Sequence, residues 1–207
     1  KLVARILCEI GVISNPEPVI AERGDLVAKY VGQTESKTNE VIEKAIGGVL
    51  FIDEAYTLAK KGSGSDFGQE AIDALLTAMV KYRNNLVVIA AGYTADMERF
   101  LAANQGLKSR FGTIIEFEDY TPDELYAIFE RLCKKQGFVI EENAVEPVKE
   151  YLAKQSGNTD FGNARGVGRY FQEIKERQGS RLLKLDETEM SEEEIKKVYS
   201  IFTLEDV

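Results

Sequence analysis

The sequence predicts an α/β domain with a parallel sheet flanked by helices, followed by a small all-helical domain. Two runs of consecutive apolar residues, at 49–52 and 86–91, are typical of strands buried on both faces. An amphipathic helical pattern at 69–83 separates them, and this strand–helix–strand order favours parallel pairing. The rest of the chain shows helical periodicity alone, so we predict an α/β domain over 1–120 and a helical domain over 121–207.

The first domain is predicted to contain nine elements. In chain order they are helices at 1–10, 24–30, 36–45, 69–83 and 95–103, and strands at 19–22, 49–52, 86–91 and 114–117. No capping residue precedes the opening helix, so we expect that the chain begins inside an element. The stretch 60–68 is rich in Gly, Ser and Lys and is predicted to be a mobile loop.

The second domain opens on a strong helix-start signal. Thr121 is a good N-cap, Pro122 takes the first helical position and Glu124 completes a capping box. Ser191 and Glu194 repeat the capping box later in the chain. The predicted helices of this domain are 122–136, 143–155, 163–183 and 191–199.

Composition excludes several classes of function. The 207 residues include 26 basic and 35 acidic side chains, a net charge of −9, which disfavours nucleic-acid binding because phosphate contacts need a basic face. No apolar run approaches the roughly 18 residues of a membrane span. The chain has no His, which excludes a catalytic histidine and disfavours a zinc site. Cys8 and Cys133 lie in periodic apolar segments, so we expect buried free thiols and a reducing, cytoplasmic location, with a disulfide left open.

Two adjacent acids, Asp53 and Glu54, directly follow the first buried strand. This position is the carboxyl edge of a parallel sheet, where α/β folds bind ligands. The pair suits a nucleotide hydrolysis site in which Asp53 holds Mg²⁺ through water and Glu54 positions the attacking water. A surface pair of acids at a strand end is the alternative. The phosphate-binding pattern GxxxxGK followed by Ser or Thr is absent from the sequence.

Three arginines are candidates for contacts with phosphate. Arg110 follows the second buried strand and its helix, where it suits an arginine finger donated to a neighbouring subunit, or alternatively a surface salt bridge. Arg165 opens a helix, an end that prefers anions, so a partner charge such as a phosphate is indicated. Arg169 lies one turn further on the same face. An exposed basic stripe is the alternative for this pair.

A loop predicted at 30–34 contains an aromatic and a β-branched residue, Tyr30 and Val31, followed by Gly32. Such residues can pack back on the core. They can also protrude and grip a polypeptide that is threaded through a ring.

Taken together and in this order, the motifs resemble those of the AAA+ ATPases. The resemblance is to the group that contains the red-type Rubisco activase CbbX, stage V sporulation protein K and the ATPase of mycobacterial type VII secretion. The segments that carry it are 25–27, 30–34, 47–56, 91–93, 106–111 and 162–165.

The resemblance implies a P-loop-type parallel sheet with a helical lid, and a role for each motif. Asp53 and Glu54 correspond to the Walker B pair, Arg110 to the arginine finger and Arg165 to the sensor-two arginine. The segment Tyr30-Val31-Gly32 corresponds to the central pore loop. ATP and Mg²⁺ are then the cofactors, and the partners are further copies in a hexameric ring and a client protein.

The sequence departs from the family pattern in three places. In the family the Walker A loop immediately precedes a helix like 1–10, so we expect that the chain begins just past this loop and that it binds nucleotide weakly or not at all by itself. Tyr93 stands where the sensor-one asparagine is usual, and its hydroxyl, or that of Thr94, is a candidate phosphate contact. Gly168 stands where relatives often carry an arginine, and Arg169 is a candidate replacement.

The first hypothesis is therefore the ATPase module of a hexameric motor that threads or remodels a client protein. One rival is a non-catalytic scaffold that has lost nucleotide binding. Another is a nucleotide-binding switch that does not thread a substrate.

Overall fold

The computed structural model describes residues 1–59, 67–186, 188 and 190–207. The loop predicted at 60–68 therefore lies almost wholly outside the described residues. The described residues form two units, Lys1–Glu116 and Phe117–Val207.

A parallel sheet organises the first unit. Its elements are α1 (Leu2–Glu9), β1 (Val19–Ala21), α2 (Arg23–Leu26), α3 (Thr34–Ala45), β2 (Val49–Ile52), a 3₁₀ helix (Ala55–Ala59), α4 (Gly68–Lys81), β3 (Val87–Ala90), α5 (Thr94–Ala103) and α6 (Gln105–Arg110). The strands pair in parallel in the order β1-β2-β3, and Leu50 of β2 lies between Val19 and Val88. The predicted parallel sheet is confirmed.

Helices cover both faces of this sheet. On one face Leu50 and Ile52 are buried against Ile42 of α3 and against Ile72 and Leu75 of α4. On the other face the side chains that pack together come from α1, the segment after it, β2 and β3: Ala4, Leu7, Cys8, Ile13, Val49, Val87 and Ile89. The alternation along β2 explains why its four residues are all apolar, since each face needs its own core.

Several elements of the first unit differ from the prediction. The 3₁₀ helix was not predicted, and α2 ends at Leu26 although a helix was predicted at 24–30. The strand predicted at 114–117 is wrong: this segment has no strand pairing among the described residues, and Ile114 and Ile115 are exposed. An apolar run becomes a strand only when a partner edge accepts its backbone groups. Conversely, α6 was not predicted, although its N-cap signal is present: the Asn104 side chain accepts a 2.8 Å hydrogen bond from the Gly106 N–H.

The second unit is mainly helical. Its elements are α7 (Pro122–Gln136), β4 (Val139–Ile140), α8 (Glu142–Gln155), α9 (Ala164–Leu182), α10 (Glu192–Tyr199) and β5 (Ile201–Phe202). All four predicted helices are confirmed, and both predicted capping boxes form. The prediction of helices alone needs one correction, because β4 and β5 make a short parallel pair. Two-residue strands are too short to leave a periodic signal in sequence.

Aromatic side chains fill the core of the second unit. Phe138 stacks on Phe202 with ring centroids 4.5 Å apart, and Tyr151 stacks on Tyr170 at 4.0 Å. Cys133 is buried in this core and Cys8 is half-buried in the first unit, and both are free thiols, as predicted. No helix in the described part of the chain is long and apolar enough to cross a membrane.

Candidate functional site

The backbone at the carboxyl edge of the sheet places two loops side by side. Beyond the strand ends, the Asp53 N–H donates to the Ala21 carbonyl at 2.9 Å. The Ala91 N–H donates to the Ile52 carbonyl at 2.9 Å, and the Ala55 N–H donates to the Ala91 carbonyl at 3.0 Å. The segment with the two acids is therefore fixed to the segment that follows β3.

Asp53 and Glu54 have different environments at this edge. Asp53 is half-buried, and its Oδ1 accepts a 3.0 Å hydrogen bond from the Glu54 N–H. Glu54 is exposed and its φ is +47°, a left-handed conformation that L-residues rarely adopt. Strain of this kind is often kept at functional sites. The turn directs the two carboxylates of neighbouring residues differently.

Tyr56, in the first turn of the 3₁₀ helix, packs against the segment that follows β3. Its ring centroid lies 6.4 Å from that of Tyr93, which caps α5 and is 66% exposed. Partial burial, followed by the charges of Glu54 and Asp96, raises the pKa of the Tyr56 hydroxyl. The structure thus brings Asp53, Glu54 and Tyr93 to one edge, together with a tyrosine for which the sequence predicted no role.

Gly92 makes this aromatic packing possible. A Cβ at this position would lie 2.7 Å from Tyr56 Cδ1 and 2.9 Å from Met97 Sδ. Both distances are below normal contact, so a side chain at residue 92 displaces the Tyr56 ring.

Arg110 is the last residue of α6, and its guanidinium is exposed. Its Nη1 donates to the Gly106 carbonyl at 3.2 Å, a hydrogen bond within its own helix. Leu107 is buried in the main core of the unit, so the helix is firmly anchored while Arg110 faces solvent. A guanidinium in this position is available to a group outside the chain.

The predicted pore loop lies between α2 and α3 and projects into solvent. Tyr30 is 70% exposed and Val31 is 77% exposed, so neither packs back on the core, and Gly32 has a φ of +75°. Two buried threonines secure the base of the loop: Thr34 Oγ1 accepts from the Ala28 N–H at 3.1 Å, and Thr38 Oγ1 donates to the Leu26 carbonyl at 3.0 Å. The result is an exposed tip on a rigid base.

Arg165 and Arg169 lie in the first turns of α9 in the second unit, and neither is buried. Arg169 Nη2 donates to the Phe161 carbonyl at 2.6 Å and to the Asp160 carbonyl at 3.2 Å, which ties the preceding turn to the helix. Arg169 therefore has a structural use of its own.

The acid pair fits a magnesium ion that is bound together with a phosphate. No group of three or more Asp, Glu, His or Cys side chains within the described ranges is arranged to hold a metal. Magnesium does not need such a cage, because it commonly keeps several waters and takes one or two carboxylates plus phosphate oxygens. Asp53, half-buried and oriented by a backbone N–H, suits this role.

The Tyr56 contact and the Glu54 backbone were not found from the sequence. A positive φ at a glutamate has no local sequence signal, because this residue type gives no hint of a left-handed conformation. Tyr56 does lie within the segment 47–56 that carries the family resemblance, two residues after Glu54, and this spacing was the only available signal.

A parallel sheet with paired acids at its carboxyl edge, followed by a helical unit, defines an α/β protein of the nucleotide-hydrolase type. The chain belongs to the ATPase family associated with various cellular activities (AAA), whose family model matches residues 2–119. The AAA lid domain model matches residues 121–207.

Individual relatives agree with this assignment. A protein CfxQ homolog of Trieres chinensis is 41% identical over 177 residues, covering 86% of this chain and 61% of the relative. ESX-3 secretion system protein EccA3 of Mycobacterium tuberculosis is 39% identical over 199 residues, covering 91% of this chain and 32% of the relative. Stage V sporulation protein K of Bacillus subtilis is 38% identical over 190 residues, covering 90% of this chain and 59% of the relative. The chain thus spans about a third to three fifths of the length of these relatives.

Solved structures support the fold. A mutant of RuvB from Thermotoga maritima matches with a TM-score of 0.60 at 17% identity, covering 92% of this chain and 51% of that one. The FIGL-1 AAA domain matches with a TM-score of 0.58 at 17% identity, covering 90% and 58%. At such identities the likeness concerns the fold alone.

Proposed function

We propose that this chain is the ATPase module of a hexameric motor that threads or remodels a client protein. The observation that carries the proposal is the Asp53–Glu54 pair, held at the carboxyl edge of the sheet in a chain of the AAA family. In this proposal residues 1–120 form the nucleotide-binding domain and residues 121–207 form its lid.

Each acid has one task. Asp53 holds Mg²⁺ through water, and the ion supplies neutralisation of phosphate charge when it is bound. Glu54 accepts a hydrogen bond from the attacking water and orients it. Its exposed carboxylate suits this task, because a group that orients water must be accessible to it.

The basic and aromatic groups act on the nucleotide. Arg110 reaches the phosphates held by a neighbouring subunit and offsets negative charge there, an effect worth about 10³–10⁵ in rate in known systems. Arg165 and Arg169 are further candidates for contact with phosphate. The Tyr93 hydroxyl is a further contact at the sheet edge.

The exposed loop Tyr30-Val31-Gly32 contacts the client protein in the central pore. Its high exposure supports this role, because an aromatic residue in a loop is usually at least partly covered by its own chain. The names of two relatives refer to a secretion system and to sporulation, so the identity of the client protein is left open. Identifying it requires a panel of candidate proteins.

ATP hydrolysis requires a phosphate-binding loop, which these 207 residues do not contain. The test is therefore an ATPase assay on the polypeptide expressed from its complete reading frame, with the 207-residue chain assayed beside it. We expect turnover by the former and weak or no nucleotide binding by the latter. A complete reading frame that neither binds nor hydrolyses ATP would favour the scaffold alternative.

Two variants test the site. Glu54→Gln is expected to bind ATP and to lose turnover, whereas Glu40→Gln, which changes an exposed acid in α3, should be normal. Arg110→Ala is expected to lose turnover and keep binding, with Lys108→Ala of the same helix as its control. Mixing Arg110→Ala with Glu54→Gln subunits should restore part of the activity, since each supplies the group that the other lacks. Failure of any rescue would contradict action between subunits.

Tyr30→Ala separates a motor from a switch. A threading motor should keep ATP hydrolysis and lose remodelling of its client, while Tyr30→Phe, which keeps the aromatic ring, should retain both. Normal remodelling by Tyr30→Ala would remove the pore-loop assignment.

A further inference from the structure

Asn163, the residue that precedes α9, uses its side-chain amide to bind the segment that leads into α7. Its Nδ2 donates a 2.6 Å hydrogen bond to Asp119 Oδ1, and its Oδ1 accepts a 3.1 Å hydrogen bond from the Tyr120 N–H. The reverse orientation of the amide would set donor against donor and acceptor against acceptor, so its partners fix it. Ser156 Oγ donates to the Tyr120 carbonyl at 3.2 Å, so side chains bind both backbone polar groups of Tyr120. We call the two hydrogen bonds of Asn163 to residues 119 and 120 the amide clamp.

This use of Asn163 is unusual for its position in the chain. An asparagine at a helix N-cap ordinarily accepts from a backbone N–H of the first turn, but the Asn163 side chain makes no such bond within the described part of the chain. Its backbone is strained as well, since φ is +52° and ψ is −128°. Asparagine tolerates positive φ mainly near a φ of about +57° and a ψ of about +47°. Such strain persists only where the surrounding structure holds it, and here the amide clamp does so.

The strained turn sets the backbone from which α9 begins, and Arg165 lies in its first turn. The Arg165 N–H donates to the Gly162 carbonyl at 3.1 Å, and the Val167 N–H donates to the Asn163 carbonyl at 3.1 Å. Both acceptors belong to residues with positive φ, +73° at Gly162 and +52° at Asn163. A relaxed backbone at Asn163 would therefore move the acceptors of the first turn, and with them the base of the Arg165 side chain.

We propose that Asn163 is a positioning residue, whose amide clamp keeps the first turn of α9 in the conformation that directs Arg165 to a phosphate of the nucleotide. This inference rests on the proposed function, in which Arg165 is a candidate for contact with phosphate. In this role Asn163 acts through Arg165 and does not touch the nucleotide. An exposed arginine on a fixed base loses less conformational freedom when its guanidinium binds, so the clamp raises affinity without a contact of its own.

The clamp can be tested on the 207-residue chain without nucleotide. Asn163→Asp sets a carboxylate against Asp119 in place of the amide donor. We expect the N–H groups of Tyr120 and Val167 then to exchange with deuterium about 10-fold faster. The N–H of Ile174, buried further along α9, should exchange as in the wild type. Adding Asp119→Asn gives each acceptor a donor again and should restore slow exchange.

Nucleotide binding is measured on the polypeptide from the complete reading frame, with a non-hydrolysable ATP analogue. Arg165→Ala should weaken binding about 10- to 100-fold, the usual effect of losing a hydrogen bond to a charged group. Asn163→Asp should weaken it about 5- to 10-fold, and the additional change Asp119→Asn should recover the affinity at the wild-type net charge. In the Arg165→Ala background, Asn163→Asp should have no further effect. Asn143→Asp adds the same charge at an exposed position of α8 and should bind normally.

These tests separate two kinds of failure. If the wild-type polypeptide does not bind the analogue, the proposed function fails, and hydrogen exchange still decides whether the clamp holds the first turn of α9. If the wild type binds but Asn163→Asp binds equally well, or its loss adds to that of Arg165→Ala, the proposed function stands and the positioning role fails. Unchanged exchange at Val167, or no rescue by Asp119→Asn, also overturns the positioning role.

A milder variant covers the case in which Asn163→Asp unfolds the second unit. Asp119→Ala removes one of the two clamp bonds and places no charge beside Asn163. It should show the same effects on exchange and binding to a smaller degree, and normal exchange at Val167 in this variant would contradict the clamp. Thermal unfolding of the Asn163→Asp, Asp119→Asn double variant should match that of the wild type, which shows that the rescue acts on an intact fold.

Discussion

Replacing Glu54 with glycine should stabilise the first unit while it removes the carboxylate that we propose orients water. The φ of +47° at Glu54 forces its Cβ into an unfavourable position. For L-residues this conformation costs about 1–2 kcal/mol, and glycine avoids the cost. Glycine also lowers the free energy of unfolding by about 0.5–1 kcal/mol, because it gives the unfolded chain more conformational freedom. The net expectation is a gain of about 0.5–1 kcal/mol.

The comparison that isolates this effect is Glu54→Gly against Glu54→Ala. Both variants lose the carboxylate, so they differ only by the Cβ. We expect the glycine variant to unfold at a temperature higher by about 3–6 °C, given the usual relation between free energy and melting temperature for a unit of this size. Circular dichroism during heating and urea titration measures both quantities on the 207-residue chain.

A second pair of variants should show the opposite difference in stability between glycine and alanine. Glu40 is exposed within α3, so Glu40→Gly should be less stable than Glu40→Ala by about 1 kcal/mol. If Glu54→Ala proves as stable as Glu54→Gly while the Glu40 pair behaves as expected, the backbone at residue 54 carries no strain, and the reasoning about this turn is wrong.

Two further predictions concern other parts of the molecule. Gly92→Ala should displace the Tyr56 ring and lower the free energy of unfolding by about 1–3 kcal/mol, the usual cost of overpacking, and unchanged stability in urea titration would show that the contact is easily relieved. Asp206 is buried, and burial acts to raise its pKa, but hydrogen bonds from Arg181 at 2.9 Å and from the Thr203 N–H at 2.8 Å prevail and lower it. Because the folded-state pKa lies below the ordinary value, the stabilisation is complete above about pH 4 and is lost as the pH falls through the folded-state pKa. Asp206→Asn should lower the free energy of unfolding by about 3 kcal/mol at pH 7 and flatten its dependence on pH, both measured by urea titration. An unchanged dependence on pH would exclude Asp206 as its source.

Burial patterns predicted the central elements of the fold because their causes are local. Residues 49–52 are apolar on both faces, and the structure covers both faces with helices. The capping boxes that begin at residues 121 and 191 could also be predicted from the sequence, because each capping interaction joins residues three positions apart. Whether residues 114–117 pair with a neighbouring strand, however, could not be decided from the sequence. Residues 114–117 have strand composition, but composition does not supply a neighbouring edge.

The position of the acid pair was predicted, and the packing around it was not, for a related reason. The acids come directly after a buried strand, and residues that come directly after a parallel strand lie at the carboxyl edge of the sheet, so sequence order alone was enough. The approach of Tyr56 to Gly92 joins residues 36 positions apart in the chain through the packing of α5 on the 3₁₀ helix. Such a contact depends on tertiary structure that no periodicity encodes.

The two acids owe their different environments to one turn of the backbone. Asp53 continues the line of β2, so it inherits the rigidity of the strand, and a backbone N–H orients its carboxylate. Glu54 turns away from that line at a positive φ, and its side chain is exposed. A rigid acid suits a metal ion with fixed geometry, and an accessible acid on a tether suits a water molecule that must be replaced at each turnover. The strained turn at residue 54 thus separates the two proposed roles, and a relaxed backbone there would give the second acid a different direction.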